Sequence, residues 1–96
     1  MRKLLIGWSS VEELENIKDY GVDFKTACEV VKNQSSLKIR NLFSDFVYIG
    51  PSNDLSIILI VNCKIEDGFI KIFWSRKANG SEEDSYFNHL AKGITQ

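Results

Sequence analysis

One histidine, two cysteines and one proline stand among 96 residues, and each scarcity removes a class of function. His89 alone cannot build a histidine-rich metal site within one chain. Cys28 and Cys63 lack Cys-x-x-Cys spacing, so buried free thiols are expected rather than a disulfide or a metal pair. The longest apolar run, residues 57–61, falls far short of the roughly 20 residues that span a bilayer. The opening MRKLLIGW has too short an apolar part for a signal-peptide core, and a charged segment follows at once. A cytoplasmic protein without a membrane partner is the expectation. There is no phosphate-binding glycine loop, nucleophile elbow or metal-ligand spacing, so neither a cofactor nor a metal is expected. An excess of positive charge is missing too. Twelve Lys and Arg against thirteen Asp and Glu give a net charge of −1. This counts against tight nonspecific binding of nucleic acid, which phosphate contacts dominate. A local basic stretch remains, with Lys25, Lys32, Lys38 and Arg40 set against Glu29.

What is present suits one globular domain over residues 1–96: 44% apolar and 26% charged residues with six glycines. Residues 3–7 read as an edge strand. Ser9 or Ser10 caps a first helix, with Glu12 or Glu13 completing a capping box. Val11, Leu14 and Ile17 are three apart and predict a buried helix face. Gly21 stops this helix. Asp23 caps a second, whose stripe is Phe24, Ala27, Cys28 and Val31. Residues 37–45 are ambiguous between loop and irregular strand, and 46–49 read as strand. Gly50-Pro51-Ser52-Asn53 predicts a turn. The apolar residues 55–62 suit a central strand. Asp67-Gly68 predicts a hairpin turn leading into a strand over 69–75. Ser81 is expected to cap a last helix with Phe87, Leu90, Ala91 and Ile94 on its stripe, and Gly93 to end it. The sum is an α+β fold: a small antiparallel sheet with an N-terminal helical hairpin and a C-terminal helix, the helices mainly on one face.

Chemistry centres on residues 69–78, FIKIFWSRKA, an apolar strand that ends in two cations. Arg76 offers a fork for two phosphate oxygens, with Lys77 beside it. The bland alternative is an ion pair from Arg76 to Glu82 or Glu83. Strand alternation predicts Lys71, Phe73 and Ser75 on one face and Ile70, Ile72 and Trp74 on the other. Lys71 is then either an edge residue with a buried stem or part of an open groove. Tyr20 and Tyr86 can each donate a proton or stack on a base, or serve as half-buried core residues. His89 lies one turn beyond Tyr86 and reads as solvated.

Residues 8–24, WSSVEELENIKDYGVDF, resemble the opening of the BrnT toxins, W-D-x-x-K-x-x-x-N-x-x-K-H-G-[VI]-x-F, with Trp8, Asn16, Gly21, Val22 and Phe24 matching. Residues 70–78, IKIFWSRKA, resemble that family's I-R-I-I-S-A-R-K-A. Ile49-Gly50 matches an I-G turn, and Glu82 and Tyr86 match an E-R-x-x-Y-like helix. The resemblance implies a RelE-like fold of the RelE/ParE-like superfamily. It also implies a metal-independent endoribonuclease toxin of a type II toxin–antitoxin system, neutralised by a BrnA-like antitoxin. It makes Arg76 the phosphate-binding arginine, gives Lys71 the place of a strand arginine, and makes Tyr86 the helix tyrosine. Tyr20 joins Arg76, Lys71 and Tyr86 as a catalytic candidate. Lys77, Lys18 and Arg40 are candidates for RNA contact, and a homodimer is a further expectation. The chain departs from the pattern where Glu12 replaces a lysine, Tyr20 a histidine and Trp74 a serine. An inactive relative kept for protein interaction is therefore the alternative.

Overall fold

The computed structural model describes residues 5–40, 45–53 and 57–94. Eight elements follow in order: β1 (Leu5–Trp8), α1 (Ser10–Tyr20), α2 (Phe24–Lys32), β2 (Leu37–Arg40), β3 (Asp45–Pro51), β4 (Ile58–Glu66), β5 (Phe69–Lys77) and α3 (Gly80–Ile94). The strands form one sheet in the order β1-β5-β4-β3-β2. β2 through β5 are antiparallel neighbours, and β1 joins β5 in parallel at the edge. The fold is α+β, with the apolar strand β4 at the centre of the sheet. The ambiguous stretch before β3 contains a true edge strand, β2, and residues 41–44 lie outside those described. The predicted turn starts two residues later than expected, because Gly50 and Pro51 still pair with Leu59 and Ile58. Gly50 is needed there. A Cβ on it would sit 2.8 Å from the Ser36 Cβ, whose hydroxyl is anchored to the Val30 carbonyl. The Asp67-Gly68 turn has positive φ at both residues, 51° and 82°, as a tight hairpin turn requires.

The two sheet faces bury different clusters. One face carries Phe46, Tyr48, Leu59, Val61, Cys63, Ile70 and Ile72 against Phe24, Ala27 and Val30 of α2. The other packs Ile49 and Ile60 against Tyr86 of α3, with Leu37, Val47, Ile58 and Trp74 around them. The helical hairpin thus serves one face and α3 the other. Cys63 is buried, and burial pushes its thiol up to about 12, while Cys28 is half-buried and raised for the same reason. Both are free thiols.

Helix α1 overturns its predicted face. Ser9 caps it, Gly21 at φ 73° ends it, and its amide bonds the Ile17 carbonyl at 2.8 Å. Val11 and Leu14, however, are 66% and 68% exposed, whereas Asn16 is 4% exposed. The physical reason is an edge. Strand β1 pairs with β5 only as far as Ile72. Beyond that point the Asn16 carboxamide does the pairing: Oδ1 accepts from the Ser75 amide at 3.0 Å, and Nδ2 donates to the Ser75 carbonyl at 2.9 Å. The second Nδ2 hydrogen goes to the Val22 carbonyl, also at 2.9 Å. A buried backbone edge must be satisfied, and that need outweighs the burial of three apolar side chains. Glu13 supports the same hairpin by accepting from the Phe24 amide at 2.8 Å.

Asn16→Ala strands three buried backbone groups, and a loss of roughly 3 kcal/mol is expected in urea unfolding. Leu14→Ala, on the stripe that periodicity assigns to the core, is expected to change stability by less than about 0.5 kcal/mol. The reverse order of effects would contradict this reading of α1.

Candidate functional site

Strand β5 carries an irregularity that rearranges its candidate residues. Asn62 pairs with Trp74 but Cys63 pairs with Ile72, which leaves Phe73 as an extra residue without a partner on β4. A bulge of this kind shifts side-chain alternation by one residue. The expected grouping of Ser75 with Lys71 and Phe73, and of Trp74 with Ile70 and Ile72, is therefore wrong, while Lys71 and Phe73 stay on one face. Ile70, Ile72 and Ser75 point toward the helical hairpin, and Ser75 is fully buried with its hydroxyl on the Ile60 carbonyl at 2.9 Å. Lys71, Trp74 and Arg76 share the opposite face, where Trp74 packs against the cluster of Ile49, Ile60 and Tyr86. Lys64, Lys71 and Phe73 on the remainder, and Trp74 at its border, are partly exposed.

Arg76 is engaged. Its Nη1 and Nη2 each lie 2.8 Å from an oxygen of Glu82, a two-pronged pair that keeps the guanidinium charged and lowers the Glu82 carboxyl below its usual value. Glu82 is placed by the start of α3. Its amide donates to Asn79 Oδ1 at 2.9 Å, and its Oε1 accepts from the Asn79 amide at 2.8 Å. Asn79, rather than Ser81, is thus the cap, in a reciprocal capping box. The guanidinium also stands 5.7 Å from the centre of the Trp74 ring, and the Tyr20 hydroxyl lies within electrostatic reach of it.

Lys71 makes an ion contact with Glu12 at 3.2 Å, so the residue that stands where a lysine was expected has become the partner of another cation. Tyr20 is 51% exposed at the end of α1. Tyr86 is buried, with its hydroxyl 3.1 Å from the Ser35 hydroxyl, and so joins α3 to the loop before β2. Arg76 has Tyr20 near it, Lys71 lies five residues earlier on β5 with Glu12, and Tyr86 lies inside the α3 cluster. Lys77 is exposed next to Arg76, and Lys18 is exposed on α1. Arg40 lies on the other sheet face, stacked 5.2 Å from the Phe46 ring beside Lys38, three strands from β5.

A cleft of about 440 Å³ opens between α3 and the ends of β3, β4 and β5. It is mainly apolar, with Pro51, Ile58, Phe87 and Leu90 among its walls and Lys77 and Glu83 as its charged residues. It does not include Arg76, Lys71 or Tyr20. Among the described residues no group of three His, Cys, Asp or Glu side chains is placed to hold a metal ion, and no helix is long and apolar enough to cross a membrane.

Because the Glu82 carboxyl is lowered in the fold, its stabilising effect is full above the unfolded value of about 4.3 and is lost as pH falls through the folded value. Asp23, lowered by hydrogen bonds from the Thr26 side chain and then its amide, acts in the same direction. Melting followed from pH 7 to pH 3 is therefore expected to show a smaller acid-dependent loss in Glu82→Gln than in the parent chain. An unchanged loss would mean that the Arg76 pair adds nothing to stability.

No known family profile matches the chain, and no curated protein matches it. Among solved structures, the crystal structure of the Brucella abortus ribonuclease toxin BrnT matches with a TM-score of 0.66 and 22% identity, covering 80% of this chain and 99% of that one. At that identity the likeness establishes the fold: this chain is built as a BrnT-like α+β domain.

Proposed function

We propose that the chain is a divergent BrnT-like toxin, a metal-independent endoribonuclease acting in the cytoplasm and restrained by a BrnA-like antitoxin protein. The observation that carries this reading is Arg76, held in a two-oxygen fork beside Trp74 and Tyr20 on the open face of a BrnT-like sheet. The Glu82 carboxylate occupies the place that a phosphodiester would take, and both present two oxygens to one guanidinium. In cleavage without a metal, the ribose 2′-oxygen attacks phosphorus and the bond to the 5′-oxygen breaks. The 2′-hydroxyl proton leaves to a base, and a proton is delivered to the departing oxygen. In this reading Arg76 and Lys71 stabilise the charge on the phosphate. Tyr20, being exposed, is the proton carrier, and Tyr86 positions α3. Lys77 guides the backbone past Arg76, and Lys18 and Arg40 remain candidates for more distant contact with the RNA.

A second reading has its own support. Arg76 is already satisfied by Glu82, and α1 turns Val11, Leu14 and Ile17 outward. Both features suit a protein-interaction module without catalysis.

Purified protein incubated with single-stranded RNA in excess chelator decides between them. The enzyme reading expects fragments, growth arrest on expression, and a loss of about 100-fold or more in rate with Arg76→Ala, together with relief of the arrest. Intact RNA and normal growth would leave only the interaction module.

A further inference from the structure

Three cations of the sheet already have a carboxylate. Arg76 meets Glu82, Lys71 meets Glu12 at 3.2 Å, and Lys64 meets Glu66 at 3.3 Å. The β2 end of the sheet differs. Lys38 and Arg40 are exposed there and meet no carboxylate among the described residues. They lie over rings instead. Lys38 Nζ stands 4.4 Å from the centre of Phe46 and 5.8 Å from that of Tyr48, and the Arg40 guanidinium stands 5.2 Å from that of Phe46. A ring face attracts a cation and holds its stem down, but it does not neutralise the charge. Both charges are thus fixed in place and uncompensated.

The same strand is a hydrogen-bonding edge. β2 stands last in the sheet, and β3 is its one strand neighbour among the described residues. Backbone groups of a strand point alternately to its two sides, so half of those on residues 37–40 face away from β3. Such an edge accepts a further strand through main-chain bonds. The opposite edge strand, β1, is Leu5, Ile6, Gly7 and Trp8 and carries no charge. On β2 the register sets Lys38 and Arg40 beside Tyr48 and Phe46 on one face, and Leu37 and Ile39 beside Ile49 and Val47 on the other. Ile39 is 41% exposed. A strand laid along this edge therefore meets two cations on one face and apolar side chains on the other.

That pattern selects the occupant. A second copy paired antiparallel through β2 would set Lys38 and Arg40 against their own kind, and like charges directly opposed are destabilising. Nucleic acid has no main-chain amides to fill the edge, and two cations offer few phosphate contacts on a chain of net charge −1. An extended peptide in which acidic and apolar residues alternate satisfies the backbone, the charges and the apolar side chains together. We propose that the β2 edge docks an extended acidic segment of a partner protein by strand addition, with its carboxylates beside Lys38 and Arg40 and its apolar side chains beside Leu37 and Ile39. This surface is separate from Arg76, so the proposal goes beyond the ribonuclease reading and does not depend on it.

The test uses three short fluorescein-labelled peptides: alternating Glu and Val, alternating Lys and Val, and the Glu–Val peptide N-methylated throughout, which keeps its charge but cannot donate main-chain bonds. Fluorescence anisotropy follows their binding to the full chain, and hydrogen exchange follows the amides of residues 37–40. The Glu–Val peptide is expected to bind and to slow exchange of the outward-facing amides, and the other two are not. Lys38→Glu combined with Arg40→Glu is expected to weaken Glu–Val binding about ten-fold or more and to admit the Lys–Val peptide instead. Circular dichroism of this variant separates lost folding from lost binding, and the parent chain's choice among the peptides stands whatever the variant does. No binding of the Glu–Val peptide, or equal binding of its N-methylated form, overturns strand addition. Equal binding of the Lys–Val peptide overturns the role of the two cations. Protection of residues 37–40 that grows with protein concentration alone would give the edge to a second copy. Displacement of the Glu–Val peptide from these amides by a single-stranded oligodeoxynucleotide would give it to nucleic acid, and either result overturns the proposal.

Discussion

The bond between the Asn16 carboxamide and the backbone of Ser75 is the constraint on which the rest of the site depends. Strand β1 is only four residues long and leaves the far half of β5 without a neighbour on that side. A helix cannot pair with a strand edge through its own backbone, because its amides and carbonyls are already used. One side-chain amide has the donor and the acceptor of a peptide group, and Asn16 lends both. Its remaining hydrogen fixes the Val22 carbonyl, so a single residue ties α1, the α1–α2 turn and β5 together. Past this tie, β5 carries Trp74 and Arg76 on one face and the buried Ser75 on the other.

The second organising fact is how Arg76 is held. A guanidinium on a sheet face with only water around it would have many rotamers. Glu82 restricts it to one, and Glu82 is itself restricted by the Asn79 capping box. The start of α3 and the arginine are therefore mechanically linked. Any phosphate that takes the fork must displace the carboxylate, and the first turn of α3 is where that displacement is felt. In an enzyme this keeps the fork preorganised and charged in the absence of substrate. In an interaction module the same pair is a finished structural link, so geometry alone fits both readings.

Much of this was legible in the sequence. The Asp67-Gly68 hairpin, the Asp23 cap and the Gly21 stop rest on local chemistry and stand where that chemistry places them, and the central strand is central as expected but runs Ile58–Glu66 rather than 55–62. Three features were not legible because their causes are not local. The stripe of Val11, Leu14 and Ile17 has helical spacing, but α1 meets the sheet through a polar edge and so buries Asn16. Strand alternation along β5 fails at Phe73, because an extra residue in one strand leaves no mark in an otherwise regular apolar run. Tyr86 lies on a helix face that looks half-solvated in sequence, yet it is sealed by the loop carrying Ser35. The site followed the same rule. Arg76 and its alternative partner Glu82 were both visible, whereas the meeting of Trp74 and Arg76 on one face needs the bulge at Phe73.

The proposed function stands on RNA meeting the Trp74–Arg76 face rather than the Lys38–Arg40 face. Proton–nitrogen spectra of the arginine side chains and tryptophan indoles, recorded while a non-cleavable single-stranded oligonucleotide is added, test it most directly. The account predicts that the Arg76 and Trp74 signals shift together along one binding curve while Arg40 stays in place. Movement of Arg40 with Arg76 and Trp74 unmoved would contradict it.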